Sequence, residues 1–349
     1  MTTTEPTTGT PALTDQAQVL LPLFAGYVGQ RTVALGLRLG LVEALATAEP
    51  SGATPDDLAD RLGLDPFYVA VWCRAAFGAG VCDRDGTTYR LAPHMATLLL
   101  DETSPAYVGG TFTLLDQPEI FDRFAETLAS GERLWWDTCS PEFIRKVADT
   151  GRPFYTRLVP SGLARVPGLA ERLDAGCAVL DTACGAGVGV IRLAQAYPRC
   201  AVTGVDGDAH SVEVAAEHVG EAGVADRVRL LVNSLEDLDL ESSYTLVVNN
   251  ISMHECRDVD RVTDNIRRAL EPGGWFVISD FPFPDDDAGL RSIPGRIMSG
   301  IQFFEAQIDD QLVPRRFYDD LLARHGFGDI GSSELTPMHA VTYGRAPGH

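Results

Sequence analysis

The stretch that decides the fold is VLDTACGAGVGVIRLA, Val179 to Ala194. A short apolar run ends in aspartate, a turn of Gly, Ala and Cys follows, and apolar residues then recur at helical spacing. This reads as a buried strand, a tight loop and a helix. Small residues in such a loop let the backbone approach another molecule closely, and glycine also accepts a positive φ at little cost.

The same alternation continues downstream. The strand CAVTGVD ends at Asp206, a helix is expected from about Ala209 to Ala222, and RVRLLV and YTLVVNN are the next two strands. A helix from about Asp258 to Leu270, the strand GWFVISD ending at Asp280, a last helix near Pro314 to His325 and strands near 328–334 and 339–345 complete the series. Near-continuous apolar strands separated by helices predict an α/β, doubly wound domain whose parallel sheet is covered on both faces. In such sheets ligands bind beyond the carboxyl ends of the strands, beside the switch point.

Asp206 closes the second strand, where a carboxylate can accept hydrogen bonds from both ribose hydroxyls of a nucleoside. The dinucleotide pattern fails, because after Gly185 and Gly187 the third glycine position holds Val190. No basic residue lies near the turn to meet a pyrophosphate, and Asp181 adds an acid at its mouth. Such a mouth suits a ligand carrying an amino group and a sulfonium.

Upstream, apolar residues at helical spacing predict one or two helices over Gln16 to Leu45. A capping signal at Thr54-Pro55-Asp56-Asp57, a stop at Gly63, a second helix from Asp65-Pro66 and a hairpin turning at Asp85-Gly86 follow. Helix, turn, helix and wing is the order of a winged-helix unit. Residues 1–100 carry six Arg against ten Asp or Glu, and the second helix offers only Arg74, so DNA reading is disfavoured and the apolar 16–45 segment is expected to be a homodimer surface. Residues 101–170 read as a mostly helical connector in which Trp135, Trp136, Phe154 and Tyr155 are candidates to line a pocket. The expected division is a disordered start over 1–15, a winged-helix domain over 16–100, the connector over 101–170 and the α/β domain over 171–349.

A 349-residue chain that is 45% hydrophobic can bury two domain cores. No apolar run is long enough for a membrane span and the first residues lack the pattern of a signal peptide, so a cytoplasmic location is expected. The seven cysteines are scattered, with no CxxC pair, and read as reduced thiols. A net charge of −21 repels phosphate backbones and acidic membrane surfaces, which points away from nucleic acid and membrane partners.

With Asp181 to Gly187, Asp206, VNSLEDL, VVNNISMHE and RALEPGGWFVISD in this order, the chain resembles the class I S-adenosylmethionine-dependent methyltransferases, in the subgroup with an N-terminal winged-helix dimerisation domain. The resemblance implies a Rossmann-like seven-stranded methyltransferase sheet behind a mostly α-helical N-terminal domain. It implies S-adenosylmethionine as cofactor, held by Asp181, Ala183, Gly185, Gly187, Asp206, Gly207, Ser234, Leu235, Asn250 and Tyr155. Ala183 stands where the family usually has its first glycine, and Ser234 where it usually has aspartate.

Small-molecule O-methyltransferases of this kind carry a histidine base after the fourth strand, which falls on His254, followed here by Glu255. The family's first supporting carboxylate falls on Asp280 and its second near Gln311, which is not an acid. The acceptor is expected to meet the connector aromatics and Arg296, Met298, Phe303, Phe304 and Glu305, the Met and Phe side chains among them favouring an apolar or aromatic small molecule. Among the histidines no pair has metal-ligand spacing with a carboxylate, so no metal is expected. The reading is methyl transfer to a small-molecule hydroxyl in bacterial specialised metabolism. C- or N-methylation, a non-methylating reaction of the same cofactor and a ligand-sensing winged-helix regulator are the alternatives.

Overall fold

The computed structural model of the chain describes Thr10 and residues 12–134 and 138–348. It divides into two compact units, one comprising the residues up to Asp101 with Thr111–Asp116, the other Glu102–Gly110 with the residues from Gln117 onward. No described helix is long and apolar enough to cross a membrane.

The first unit opens with a helix over Leu13–Arg38 and a short one over Leu41–Thr47. Ordered structure thus begins inside the 1–15 stretch expected to be disordered, while residues 1–9 and 11 lie outside the described residues. The helix Pro55–Leu62 starts where the sequence signals it. The Thr54 hydroxyl accepts from the Asp57 amide, Asp57 accepts in return from the Thr54 amide, and Gly63 ends the helix at φ +66°. Asp65 caps the next helix, Pro66–Gly78, and strands β1 (Cys82–Asp85) and β2 (Thr88–Leu91) pair as an antiparallel hairpin. These elements enclose one core, with Leu41, Leu45, Leu58 and Cys73 fully buried. The N-terminal half of the first helix contributes almost nothing to that core. Leu20, Leu21, Phe24, Tyr27 and Val28 are all more than half exposed.

In the second unit β3 (Ala178–Thr182), β4 (Ala201–Asp206), β5 (Val228–Val232), β6 (Tyr244–Asn250), β7 (Leu270–Asp280), β8 (Gly328–Thr336) and β9 (His339–Arg345) form one sheet in the order β5-β4-β3-β6-β7-β9-β8. The first five strands of that order run parallel, and β9 enters antiparallel between β7 and β8. The order reverses between β3 and β6, which puts the switch point beside the glycine loop. One apolar cluster, with Val179, Val190, Leu193 and Val248, packs one face of the sheet, and another, with Leu180, Val247, Phe276 and Leu321, packs the other. Alternate residues of β3 serve opposite clusters, as the pleat requires. The expected doubly wound sheet and its helices are present with boundaries moved by a few residues.

Candidate active site

Five strand ends and the loops after them build the site. Asp181, near the end of β3, is completely buried. The Tyr155 hydroxyl donates to its Oδ1 at 2.7 Å, while Oδ2 has no hydrogen-bond partner. Burial pushes the Asp181 carboxyl up to about 7, against the downward pull of the Tyr155 hydrogen bond, and the nearby Asp206 adds to the rise. Gly189 is glycine for a local reason. A Cβ there would lie 2.1 Å from Asp181 Oδ2 and 2.3 Å from the Tyr155 ring.

The turn between β3 and the helix Val188–Ala196 takes three positive φ values, +57° at Ala183, +51° at Gly185 and +87° at Gly187. Ala183 therefore adopts a backbone state that favours glycine, at a cost of about 1–2 kcal/mol. The two glycines differ in purpose. A Cβ on Gly185 would meet nothing within 4 Å, whereas one on Gly187 would sit 3.0 Å from the Ala215 Cβ of the helix Ala209–Glu221. Gly185 thus keeps the surface of the loop open, and Gly187 lets two helices approach.

Asp206 ends β4 as expected. The Gly185 amide donates to its Oδ2 at 2.8 Å and the Asp208 amide to its Oδ1 at 2.9 Å, so the carboxylate is fixed by backbone and each oxygen keeps accepting capacity. Burial raises its pKa, opposed by these hydrogen bonds. Asp208, not Asp206, caps the following helix. A Cβ on Gly207 would come 3.9 Å from the Ser234 Cα, which places the loops after β4 and β5 side by side. The Ser234 hydroxyl exchanges hydrogen bonds with Asp237, and Leu235 packs into the core beside β6.

At the end of β6, Asn250 Oδ1 accepts from the Ser279 hydroxyl at 2.6 Å. Four residues on, His254 is buried, and its Nδ1 lies 2.8 Å from Asp280 Oδ2. Asp280 also accepts from the Tyr318 hydroxyl at 2.5 Å and from the Phe281 amide at 2.7 Å. The opposite nitrogen of His254, Nε2, is 3.7 Å from Oε2 of Glu305, a carboxylate oxygen that is buried without a hydrogen bond. Burial pulls the His254 pKa down, but Asp280 and Glu305 outweigh it and hold it well above 6.5. Glu255 is half-buried and is pushed well above the usual carboxylate range, first by burial and then by Glu305. The ligand atoms of His254, Glu255 and Glu305 lie within 4.8 Å of one another, a grouping invisible to local spacing.

Tyr318 escaped the sequence reading, and Glu305 was expected among the acceptor residues rather than against His254. The second carboxylate against His254 was expected near Gln311, which is exposed, and it is instead Glu305, in the last turn of the helix Ile293–Glu305. Alternation along strands finds strand-end groups; nothing local marks which helix residue will turn inward. Of the expected acceptor residues, Phe154 and Met298 are buried in one small apolar cluster with Phe281 and Leu312. Phe304 packs on Phe143, and Phe303, on another face of the helix, packs on Phe121 and Phe124. Arg296 is exposed, and Trp135 and Trp136 lie outside the described residues.

A sheet of this order, with an antiparallel penultimate strand, a small-residue first turn and an acid closing the second strand, defines a nucleoside-binding domain of the class I methyltransferase type. Comparison with known proteins agrees. Residues 179–274 match the family described as methyltransferase domain. Malonyl-[acyl-carrier protein] O-methyltransferase of Nitrosospira multiformis is 30% identical over 47% of this chain and 54% of its own length. The 3-hydroxy-5-methyl-1-naphthoate 3-O-methyltransferase of Streptomyces sahachiroi is 24% identical over 80% of this chain and 82% of its own. The crystal structure of a putative O-methyltransferase from Nostoc punctiforme superposes with a TM-score of 0.76, at 18% identity, over 97% of this chain and 100% of that one, which is a likeness of fold. The chain spans 36%, 54% and 62% of the length of three curated relatives it matches. Residues 179–274 thus carry a methyltransferase domain, and the likeness of the whole chain to the solved structure is one of fold.

Proposed function

We propose that the chain transfers a methyl group from S-adenosylmethionine to a hydroxyl of an apolar, aromatic small molecule. The observation that carries this reading is the placement of two unlike groups at neighbouring strand ends. Asp181 and Asp206 stand beside an open small-residue turn, and the His254, Asp280 and Glu305 cluster stands at the ends of β6 and β7. The donors fit the cofactor. A buried carboxylate oxygen without a partner in Asp181 suits an ammonium group, and the backbone-fixed Asp206 suits ribose hydroxyls.

When bound, S-adenosylmethionine supplies an electrophilic methyl group. The protein positions the pair: Asp206, Gly207 and the Ala183 to Gly187 turn hold the nucleoside, Ser234 and Leu235 flank its base, and Asp181, Tyr155 and Asn250 face its other polar groups. Orientation of this sort supplies much of the rate in a displacement reaction. His254, oriented by Asp280, takes the proton of the acceptor hydroxyl, with Glu305 stabilising the imidazolium that results and Glu255 beside it. Against the pull of burial, Asp280 and Glu305 raise the pKa of the ring, so the neutral, proton-accepting form gains population as pH rises and its proton passes to solvent. Phe154, Met298 and Phe304 form the apolar surroundings.

The exposed apolar side of the helix Leu13–Arg38 is read as the homodimer contact, and the acidic balance of its unit argues against a DNA-binding role. The specialised-metabolism setting is supported by such relatives as the naphthoate O-methyltransferase. Calorimetry with S-adenosylhomocysteine tests the cofactor half. Product mass spectrometry over a panel of phenols, amines and activated carbon acids tests the chemistry, a 14 Da gain on a phenol being the expected result. A transformed product without that gain would favour a non-methylating use of the cofactor.

A further inference from the structure

Beside the site runs a line of polar groups, half-buried Arg157 and fully buried His339 and Ser279, that the proposed methyl transfer does not use. Arg157, at the end of the helix Pro141–Arg157, donates from Nε to His339 Nδ1 at 3.1 Å. His339 opens β9 and is fully buried, and its Nε2 lies 2.8 Å from the Ser279 hydroxyl oxygen. Ser279, fully buried on β7, in turn reaches Asn250 Oδ1 at 2.6 Å. The rings of His339 and Phe154 are 4.4 Å apart, and the Arg157 guanidinium lies over the other partner of that stack, 5.1 Å from the Phe154 centroid.

The direction of every proton in this line follows from its first member. Arginine has only donors, so His339 Nδ1 must accept. A neutral ring that accepts at Nδ1 carries its hydrogen on Nε2, and that nitrogen donates to Ser279 Oγ. The serine, having accepted, gives its own hydrogen to Asn250 Oδ1. The asparagine amide is thereby fixed with its oxygen toward the serine and its NH2 turned away, and no described residue accepts from that Nδ2. Burial and the neighbouring Arg157 push the His339 pKa down to about 3, which keeps the ring neutral and the order intact at physiological pH. A cationic ring would lose the Arg157 contact and place two positive groups side by side.

We propose that Arg157, His339 and Ser279 are positioning residues that hold the Asn250 amide as a hydrogen-bond donor to the bound cofactor. The inference rests on the methyltransferase reading for the identity of that ligand, while the proton order rests on the network alone. Neither was legible in the sequence, where His339 is an isolated histidine next to a turn.

Two measurements test it. In a two-bond proton–nitrogen correlation spectrum of the full chain, His339 should be neutral, with hydrogen on Nε2 and a bare Nδ1, from pH 6 to 8. The opposite tautomer or a cationic ring overturns the proton order. By calorimetry with S-adenosylhomocysteine as probe, His339→Leu should weaken binding roughly tenfold, the size expected when buried partners are left unpaired. His339→Gln, which can accept from Arg157 and donate to Ser279, should restore most of the affinity, and KM for the cofactor should move more than kcat. Should His339→Leu fail to fold, Ser279→Ala carries the same expectation, because it leaves the asparagine unheld while keeping the ring. Wild-type affinity in a folded His339→Leu or Ser279→Ala chain overturns the positioning role. A wild-type chain that binds no S-adenosylhomocysteine overturns the cofactor reading, a different result from unchanged variants of a binding wild type.

Discussion

His254 Nδ1 and Asp280 Oδ2 lie 2.8 Å apart, joining the end of β7 to the loop after β6. Because β6 and β7 are hydrogen-bonded neighbours, residues that follow their carboxyl ends come together whatever their separation in the chain. Asp280 is itself held by the Tyr318 hydroxyl and the Phe281 amide, which fixes the carboxylate and through it the ring.

A first prediction concerns Asp181. With its pKa near 7 in the folded protein and 3.8 ordinarily, the carboxyl retains a proton between about pH 4 and 7 that the unfolded chain has lost. Its contribution to stability therefore falls as pH rises through that window. A ligand with an ammonium group binds the ionised form, so affinity for S-adenosylhomocysteine should increase from pH 6 to 8, with up to one proton released. Tyr155→Phe removes the hydrogen bond that holds the pKa down and should move this dependence to higher pH. Calorimetry in two buffers of different ionisation enthalpy checks both, and a pH-independent affinity without proton release would remove Asp181 from the ligand.

The left-handed backbone at Ala183 gives the second. Ala183→Gly should raise stability by about 1 kcal/mol, because relief of the alanine strain exceeds the flexibility added to the unfolded chain. The denaturant midpoint is the readout, and a lower midpoint would contradict the strain.

The third separates the two loop glycines. Gly185→Val projects into open space above the loop and should cost cofactor affinity strongly with a smaller loss of stability. Gly187→Val meets Ala215 and should lower the thermal midpoint. If Gly185→Val binds S-adenosylhomocysteine as the wild type does, the cofactor does not lie on this turn.

These expectations mark what local sequence can and cannot carry. The positions of Asp181, Asp206 and Asp280 were legible because a buried strand announces its own end, while His254 came forward through the family resemblance, and the sheet order brings these groups to one edge. Gly187 was read only as making room for a ligand, since an apolar helix gives no sign of which face will press on a glycine. Glu305 was placed only among the acceptor residues and Tyr318 not at all, because packing alone turns the first toward His254 and the second toward Asp280.

The fourth concerns the surface of the first unit. Leu20 and Phe24 are 54% and 66% exposed on one helix, more apolar surface than a solitary helix gains by showing to water. A double change, Leu20→Glu with Phe24→Glu, should yield a folded monomer by light scattering at micromolar concentration, where the parent is expected to be a dimer. A parent that is already monomeric would end the dimer reading.

The last prediction joins His254 to Glu305. The neutral ring is the form that accepts a proton, and the two carboxylates hold its pKa above 6.5, so turnover should rise with pH along a limb that lies above that value. Glu305→Gln removes one of the groups that favour the cation, so the limb should move to lower pH. His254→Ala should abolish the limb and lower turnover by roughly 10² while leaving affinity for S-adenosylhomocysteine nearly intact. Asp280→Asn should be milder and also move the limb downward, since it weakens the partner on Nδ1 without removing the ring. A pH–rate profile with an acceptor found in the product screen decides the matter. If His254→Ala keeps near-normal turnover from pH 6 to 9, proton transfer belongs to another group and the rate rests on orientation of cofactor and acceptor.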